Sequence, residues 1–200
     1  MTPIEITAVA SGLLCVWLTT RQNIWCWPVG LVMVALYIVI FWQAKLYSDM
    51  GLQVVYVGLQ VFGWHQWLRG GPRQSRLEVR RVSAVPAFAW AIGATACIVA
   101  LGYIMHTKTD AALPYWDAVT TVLSLVAQVW MARKVLESWA IWIVVDVLSI
   151  GIYAVKGLHL TAGLYAVFLV LAVMGFVAWK RSMTTTPTQV ATPTPDAAGG

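Results

Sequence analysis

The chain has 200 residues, of which 60% are hydrophobic and only 10% are charged. A water-soluble domain is nearer to half apolar and a quarter charged, so the composition excludes an ordinary soluble domain and predicts an all-α membrane protein. The formal net charge of +5 would fit a nucleic-acid partner, but no aromatic residues interleave the basic segment 69–81, so no nucleic-acid partner is expected.

The apolar residues form seven blocks, each about the length that crosses roughly 30 Å of hydrocarbon at 1.5 Å per residue. The seven predicted transmembrane helices are residues 4–20, 24–42, 49–68, 82–105, 114–132, 139–155 and 161–179. The first block carries Glu5 and no early Lys or Arg, so it is interpreted as a mature helix rather than a cleaved signal peptide. The three cysteines form no Cys-x-x-Cys pair, which indicates buried thiols rather than a disulfide or metal site.

The basic residues are distributed unequally between the two sides of the membrane. If the N-terminus lies outside, ten of the thirteen fall on the inner side, namely Arg21, Arg69, Arg73, Arg76, Arg80, Arg81, Arg133, Lys134, Lys180 and Arg181. The remaining three, Lys45, Lys108 and Lys156, fall outside. This asymmetry predicts a cytoplasmic C-terminus, with residues 69–81 as an inner loop that fixes the topology. The Thr/Pro/Ala-rich residues 182–200 are expected to form a disordered cytoplasmic tail.

Two parts of the chain resemble each other. The matched pairs are Trp17 with Trp130, Trp25 with Trp139 after one inserted residue, Tyr37 with Tyr153, and, after a shorter loop, Gly63 with Gly175 and Trp67 with Trp179. Both parts end in a basic segment, which predicts parallel repeats in a 3+1+3 arrangement: a unit at 1–68, a basic loop and linker helix at 69–113, and a unit at 114–181. The alternative is chance similarity in Trp-rich apolar sequence.

Three predicted helices carry polar and aromatic residues along one face. The stripes are Asp49, Gln53, Tyr56, Gln60, Gly63 and Trp67; Asp117, Thr121, Ser124 and Gln128; and Trp139, Trp142, Asp146, Ser149 and Tyr153. Polar groups in a bilayer usually face a cavity or a partner, so we expect these faces to line a shared chamber. For the glutamines, helix bridging and substrate contact remain equal alternatives. Trp67, Trp139 and Trp179 lie near span ends, where an anchor at the lipid interface is the preferred interpretation.

Asp146 is the acid for which a structural role is hardest to find. It lies deep in its predicted span, and no Lys or Arg is expected at its depth. It is therefore expected to be protonated, hydrogen-bonded to a neighbour, or placed opposite a cationic ligand. Proton-coupled transport through Asp146 is one alternative, and a membrane sensor or enzyme that binds a nucleoside without moving it is another.

The expected lining suits an aromatic ring that carries hydroxyl groups. Aromatic faces stack on a ring and attract it more strongly when it is cationic, and amides bond to hydroxyls. No basic residue falls inside a predicted span, so a phosphorylated substrate would lack a partner. The three histidines lack metal-ligand spacing and no catalytic motif is present, so we expect no metal, no cofactor and no enzymatic activity.

Several motifs together resemble the nicotinamide riboside transporter family, PnuC, over about residues 5–180. They are N-x-W-x-W-P at 23–28, LY at 36–37, F-x-x-x-KLYxD-x-x-LQ-x-x-Y at 41–56, GW-x-x-W at 63–67 and W-x-x-W-x-x-x-D at 139–146. The resemblance implies a bacterial inner-membrane transporter of the full-length SWEET-like fold. It implies facilitated diffusion of nicotinamide riboside, which a cytoplasmic riboside kinase then traps by phosphorylation. Relatives that carry thiamine or riboflavin leave the choice of vitamin open.

The motifs also imply particular substrate contacts. The family residues transfer to Trp139, Trp142 and Asp146 and to Gln53 and Tyr56. Gln60, Gln128 and Tyr153 join the predicted binding site from the helical stripes alone, while Asn23, Trp27 and Trp64 are predicted at a gate or mouth, with a helix cap as the alternative for Asn23. Besides the riboside and the lipid bilayer, a homo-oligomeric partner is left open.

Overall fold

The computed structural model of the protein describes residues 2–43, 45, 47–72, 75, 77–109 and 112–185. All regular elements within these ranges are helices, which confirms the all-α prediction. They are α1 (Pro3–Thr20), α2 (Cys26–Gln43), α3 (Tyr47–Arg69), α4 (Ala84–Lys108), α5 (Pro114–Ala132), α6 (Glu137–Val155) and α7 (His159–Thr185). Residues 182–185, predicted as the start of the tail, instead extend α7, and the rest of the predicted tail lies outside the described residues.

Five of the seven helices have the length and apolar character needed to cross a membrane: α1, α2, α4, α6 and α7. The chain is therefore a multi-pass membrane protein. Helices α3 and α5 are long enough but less apolar, because they carry two of the three polar stripes. The polar groups that mark these two helices as candidate site elements are thus the same groups that lower their hydropathy.

Local sequence explains where several helices begin. At α1 the Thr2 hydroxyl accepts a hydrogen bond from the Glu5 amide at 3.4 Å, and the Glu5 carboxylate accepts one from the Thr2 amide at 2.8 Å. This capping box satisfies amides that have no partner inside the helix. Pro3 and Pro114 stand in the first turns of α1 and α5, where a missing amide hydrogen costs nothing.

The helices pack as two three-helix units and one outlying helix. In the first unit α1 packs on α2 and α2 on α3, and in the second unit α5 packs on α6 and α6 on α7. The units meet where α1 contacts α7 and where α3 contacts α5. Helix α4 packs on α5, where Trp90 meets Trp130 edge to face at 6.3 Å, and it exposes apolar residues such as Phe88 and Ile92.

Several helix bounds of the two units are separated by the same number of positions. Helices α1 and α5 end at Thr20 and Ala132, and α2 and α6 end at Gln43 and Val155. Helices α3 and α7 begin at Tyr47 and His159. Each of these pairs has a separation of 112 positions, which is also the separation of two hydrogen-bonded residues in the turns that follow α1 and α5. This repeat spacing of 112 positions relates these points of the two units, whereas the first residues of α1 and α5, and of α2 and α6, lie 111 positions apart.

The turns after α1 and α5 show the repeat spacing in atomic detail. The Gln22 amide donates to the Thr19 carbonyl and the Lys134 amide to the Met131 carbonyl, both at 3.0 Å. Gln22 and Lys134 also share a left-handed backbone, with φ of 53° and 50°. A left-handed residue is uncommon outside glycine, so it marks equivalent points in two turns.

This register corrects part of the predicted alignment. Gly63 with Gly175 and Trp67 with Trp179 keep the repeat spacing. The other predicted pairs do not keep the repeat spacing, because the members of each pair lie farther apart: Trp17 with Trp130, Trp25 with Trp139 and Tyr37 with Tyr153. The chain has twelve tryptophans, so matching by residue identity offers several Trp–Trp pairs whose separations lie close to the repeat spacing.

Candidate functional site

Four tryptophans meet at one end of the bundle, where α1, α3, α5 and α7 end and α2 and α6 begin. This tryptophan cluster consists of Trp27, Trp67, Trp139 and Trp179, and no member is more than 3% exposed. Trp27 meets Trp67 edge to face at 5.3 Å, and Trp139 meets Trp179 edge to face at 5.5 Å. Trp67 and Trp179, 5.8 Å apart, join the two pairs. The interpretation of Trp67, Trp139 and Trp179 as lipid-interface anchors was therefore wrong, because their rings are enclosed by protein.

The indole nitrogens of the cluster follow the repeat spacing. Trp67 Nε1 donates to the Met131 carbonyl at 3.1 Å, and Trp179 Nε1 donates to the Thr19 carbonyl at 3.0 Å. Each bond joins one unit to the other. The Nε1 atoms of Trp27 and Trp139 are buried and have no hydrogen-bond partner among the described residues. The indoles of Trp67 and Trp179 thus join the two units by hydrogen bonds, whereas those of Trp27 and Trp139 contribute only packing.

Two glycines make room for the cluster. A Cβ atom on Gly63 would overlap the ring of Trp27, and one on Gly175 would lie 2.5 Å from Cζ2 of Trp139. Both glycines therefore let an indole lie directly on a helix backbone. Trp27, predicted at a gate or mouth, and Trp139, predicted in the binding site, occupy equivalent places in this closed end.

A second set of polar groups lies further along the helices. Asp146, Ser149 and Gln60 are only 4–5% exposed, so these polar faces turn toward protein rather than lipid. Asp146 follows Trp139 by seven residues, which is about 10 Å along α6. The Gln60 amide lies against the backbone of Gly30 on α2, where a Cβ would come within 2.8 Å of its Cδ.

A hydrogen bond in this polar group also has a definite direction. Tyr56 Oη on α3 and Ser124 Oγ on α5 are 2.7 Å apart, and Ser124 Oγ donates to the Thr121 carbonyl at 2.9 Å. Because a serine hydroxyl has one hydrogen, Tyr56 must be the donor of the shared bond. The lone pairs of Tyr56 Oη remain able to accept a hydrogen bond from a ligand hydroxyl.

Tyr165 on α7 joins this group, although the helical stripes did not include it. Its ring stacks on Tyr153 at 5.3 Å with an interplanar angle of 19°, and it meets Phe168 edge to face at 6.0 Å. Its hydroxyl also interacts electrostatically with Asp146 and Tyr56. The sequence signal for Tyr165 was the repeat register, since it stands one repeat spacing after Gln53.

The other predicted residues fall in different places. Gln53, Gln128 and Trp142 are half-buried, and Trp142 packs against the tryptophan cluster. Asn23 is exposed, and its Oδ1 accepts a hydrogen bond from the Trp25 amide at 3.0 Å, a geometry that shapes the start of α2. Trp64 is 37% exposed at the bundle surface and is not brought together with the other candidates.

The charges around the polar group are arranged at the ends of the bundle. Within the described residues every Lys and Arg lies in a connecting segment or in the terminal turns of a helix. Lys156 forms an ion pair with Asp117 at 3.1 Å at the end opposite the tryptophan cluster. The middle of the bundle therefore offers one acid, amides, hydroxyls and aromatic faces. No set of His, Cys, Asp or Glu that could hold a metal ion occurs in the described part of the chain.

Comparison with known proteins gives a consistent result. The chain is 28% identical to the nicotinamide riboside transporter PnuC of Escherichia coli (strain K12), with 90% of this chain and 85% of that protein aligned. It is 33% identical to the protein of the same name from Neisseria mucosa, with 87% and 70% aligned, and 27% identical to the riboflavin/roseoflavin transporter RibM of Streptomyces davaonensis, with 84% and 80% aligned.

Its fold is also similar to a solved structure, the crystal structure of the vitamin B3 transporter PnuC. The TM-score is 0.72 at 28% identity, with 90% of this chain and 82% of that chain covered. The profile of the family described as nicotinamide mononucleotide transporter matches residues 2–181. The chain therefore belongs to this family of transporters, the PnuC family that the sequence motifs indicated.

Proposed function

We propose that the protein carries nicotinamide riboside across the bacterial inner membrane by facilitated diffusion. The observation that supports this most directly is Asp146, an acid that is only 4% exposed on an apolar helix, with the described basic residues confined to the ends of the bundle. The pyridinium ring of the riboside is cationic, so it complements an acid and stacks on aromatic faces. The relatives named nicotinamide riboside transporters support the same cargo.

The charge distribution favours the riboside over its phosphate ester, although the family description names the mononucleotide. A phosphate monoester carries between one and two negative charges near neutral pH and is normally bound by Arg or Lys. Asp146 would repel it, and the described basic residues lie too far toward the helix ends to compensate. A cytoplasmic kinase that phosphorylates the riboside would therefore trap it, since the product no longer fits the site.

Within the site we assign the ring to Trp142, Tyr56 and Trp139, and the ribose or ring charge to Gln53, Gln60, Gln128 and Asp146, with Tyr153 at the far end. Trp139 differs from the others because its ring is enclosed by the tryptophan cluster in this conformation. Its contact with cargo therefore requires the cluster to move. Tyr165 is added to the set because its ring stacks on that of Tyr153 at 5.3 Å.

The proposed transport path uses seven transmembrane helices in a full-length SWEET-like arrangement of two parallel repeats. The repeat spacing supports units at 1–68 and 114–181 joined by the loop and linker helix at 69–113. The N-terminus is proposed outside and the C-terminus in the cytoplasm, so that the tryptophan cluster lies at the inner end. The units would then rock about the polar group.

A second candidate cargo is riboflavin, because the RibM relative is also aligned over most of its length. Riboflavin is a larger, neutral ring system with a hydroxylated chain, and it has no positive charge for Asp146 to complement. Thiamine, which is cationic, is a third candidate on the same fold. A binding comparison of these vitamins decides between them.

The experiment is a titration of purified protein in detergent with nicotinamide riboside, nicotinamide mononucleotide, thiamine and riboflavin, followed by uptake of labelled ligand into vesicles. We expect the riboside to bind tightest, and to equilibrate without a proton gradient. Trp142→Ala and Gln53→Ala should weaken binding, whereas Trp116→Ala and Gln43→Ala, matched changes at exposed positions, should not. Tighter binding of the mononucleotide, or unchanged binding by Trp142→Ala and Gln53→Ala, would contradict the proposal. Accumulation that depends on an imposed proton gradient would contradict the uniport.

A further inference from the structure

A chain of polar contacts crosses between the two units beside the tryptophan cluster. Lys134 Nζ donates to Gln22 Oε1 at 3.1 Å, and Gln22 Nε2 donates to Ser182 Oγ at 2.9 Å. Lys134 Nζ also lies 4.5 Å from the centre of the Trp67 ring. Lys134 is only 8% exposed, although it carries a charge and belongs to a turn.

Each of these contacts joins one unit to the other. Lys134 and Ser182 belong to the second unit, and Gln22 and Trp67 belong to the first. Gln22 and Lys134 are also equivalent residues, one repeat spacing apart in turns of the same geometry. The two turns therefore cannot separate at this end of the bundle unless the Lys134–Gln22 bond breaks.

The turn that carries Lys134 is held in place by the segment between α3 and α4. The Arg80 amide donates to the Lys134 carbonyl at 3.0 Å, and the Leu136 amide donates to the Arg80 carbonyl at 2.9 Å. The Val82 amide donates to the Glu137 carboxylate at 3.1 Å. Among the described residues, the backbone hydrogen bonds that this segment forms with the two turns go to the turn that carries Lys134, and none goes to the turn that carries Gln22.

Water can reach this contact from outside the bundle. A pocket of about 230 Å³ lies beside it and is lined by Gln22, Leu77, Glu78, Val79, Ser182 and Met183. A charged side chain gains hydration when such a pocket widens, which offsets part of the cost of breaking its bond. The contact is thus placed where a small movement exposes it.

We propose that Gln22 and Lys134 form a latch that holds the tryptophan cluster closed, and that breaking this latch opens the inner end of the transport path. The proposal rests on the proposed transport function, because a latch matters only if the two units move apart. It assigns Gln22 and Lys134 to gating and not to contact with the cargo.

The chain contains its own reporter for this opening. Cys26 is 2% exposed and packs in the apolar core that includes the tryptophan cluster, and its carbonyl accepts a contact from Cys15 Sγ at 3.2 Å. Cys97 is exposed on α4, away from the latch. Alkylation of Cys26 therefore reports the opening of the inner end, and alkylation of Cys97 in the same sample corrects for reagent activity.

The experiment measures the rate of N-ethylmaleimide labelling at each cysteine by mass spectrometry, using purified protein without ligand. Gln22→Asn shortens the side chain while keeping a residue that tolerates a left-handed backbone, and Lys134→Met removes the charge but keeps the stem. We expect both to label Cys26 about tenfold faster, the factor for losing about 1.4 kcal/mol of a charge-assisted hydrogen bond. Arg133→Met, at an exposed neighbour of Lys134, should label at the parent rate.

Gln22→Glu provides a test in the opposite direction. The carboxylate loses the bond that Gln22 Nε2 donates to Ser182, but it gains an ion pair with Lys134, which is stronger than a bond between neutral groups. Cys26 should therefore label more slowly than in the parent, a result that unfolding cannot produce. Parent-like labelling in Gln22→Asn and Lys134→Met, or faster labelling in Gln22→Glu, overturns the latch. No riboside enters this measurement, so failure of riboside uptake by the parent would overturn the proposed cargo while leaving the latch result intact.

Discussion

The tryptophan cluster has equivalent residues in both units, whereas the polar group does not, although the two lie on the same helices. The cluster repeats from unit to unit: Trp27 and Gly63 correspond to Trp139 and Gly175, and the Trp67 bond to Met131 corresponds to the Trp179 bond to Thr19. The polar group does not repeat. At the position equivalent to Asp146, the first unit has the buried apolar residue Val34.

The asymmetry of the polar group extends to its contacts. Tyr56 bonds to Ser124, but the equivalent residues are Phe168 and Gly12, where a Cβ on the glycine would lie 3.7 Å from the phenyl ring. In the first unit, the large residue Gln60 on α3 lies against Gly30 on α2. The equivalent positions in the second unit hold the small residue Ala172 on α7 and the large residue Trp142 on α6. The first unit thus has a hydroxyl at Tyr56 and an amide at Gln60, where the second unit has the apolar residues Phe168 and Ala172.

This difference has a physical reason. In the tryptophan cluster each unit contributes one equivalent indole bond to the other, so equivalent surfaces suffice to join the units. A riboside has a charged ring at one end and hydroxyl groups at the other, so a pocket made of two identical halves would match only one end. With the proposed function, symmetry would therefore favour the closure at the tryptophan cluster and would be unsuitable for the riboside site.

Among the proposed substitutions, Asp146→Asn should have the largest effect, and it tests the asymmetry of the polar group through riboside affinity. It removes the acid that the second unit has where the first unit has Val34, and losing one partner of a close charge pair with the bound riboside costs about 2–5 kcal/mol, so riboside affinity should fall at least about thirtyfold. Titration of purified protein measures this change. The matched variant Asp117→Asn, which breaks an ion pair at the end of the bundle, should leave affinity unchanged. Equal affinities for Asp146→Asn and the parent would place the charge of the ligand elsewhere.

Gly63→Ala and Gly175→Ala test the symmetric closure. Each adds a methyl group that meets an indole ring, so each should destabilise the protein by about 1–3 kcal/mol, and by similar amounts if the two halves are equivalent. Thermal unfolding in detergent, followed by tryptophan emission, measures the loss. Gly58→Ala and Gly163→Ala lie on the same two helices with nothing within 4 Å of the added carbon, so they should be neutral or slightly stabilising. A large effect at only one of Gly63 and Gly175 would show that the closure is not symmetric.

The sequence predicted the helices well because membrane-spanning length leaves a strong signal in hydropathy. It predicted the register poorly because the turns that define it place Gln22 and Lys134, rather than glycine, in a left-handed conformation. Because neither turn has a glycine at its left-handed position, nothing in the sequence indicated that the two turns are equivalent. In the second pair of turns the equivalent left-handed residues are Lys45 and Gly157, so only one of the two was recognisable from sequence.

The site was predicted in part for related reasons. Helical stripes indicated that Gln60 and Asp146 face inward, and both are buried. Position near a span end does not distinguish a tryptophan at the lipid interface from one enclosed by protein, so Trp67 and Trp179 were misassigned. A signal was available four residues earlier, where Gly63 and Gly175 leave space for an indole from the neighbouring helix.

Phenylalanine substitutions distinguish the tryptophans of the cluster that donate a hydrogen bond from those that only pack. Trp67→Phe and Trp179→Phe lose an indole bond between units, which contributes about 0.5–1.5 kcal/mol, in addition to the smaller ring. Trp27→Phe and Trp139→Phe lose the same ring area but no described hydrogen bond, so thermal unfolding should show a smaller loss of stability. Losses of the same size in all four variants would mean that the two indole bonds add nothing to packing.

Tyr56→Phe gives the smallest expected effect, and it makes the first unit resemble the second, which has Phe168 at this place. The hydroxyl donates its hydrogen to Ser124 and keeps its lone pairs for a ligand, so its loss should lower riboside affinity by about two- to twelvefold, the range for one hydrogen bond. Tyr103→Phe, the same change at an exposed position on α4, should have no effect in the same titration. Ser124→Ala keeps the Tyr56 hydroxyl but releases its hydrogen, and it should therefore weaken binding less than Tyr56→Phe. If Ser124→Ala weakened binding more than Tyr56→Phe, the contact with the ligand would belong to the serine, and the direction assigned to this hydrogen bond would have no role in recognition.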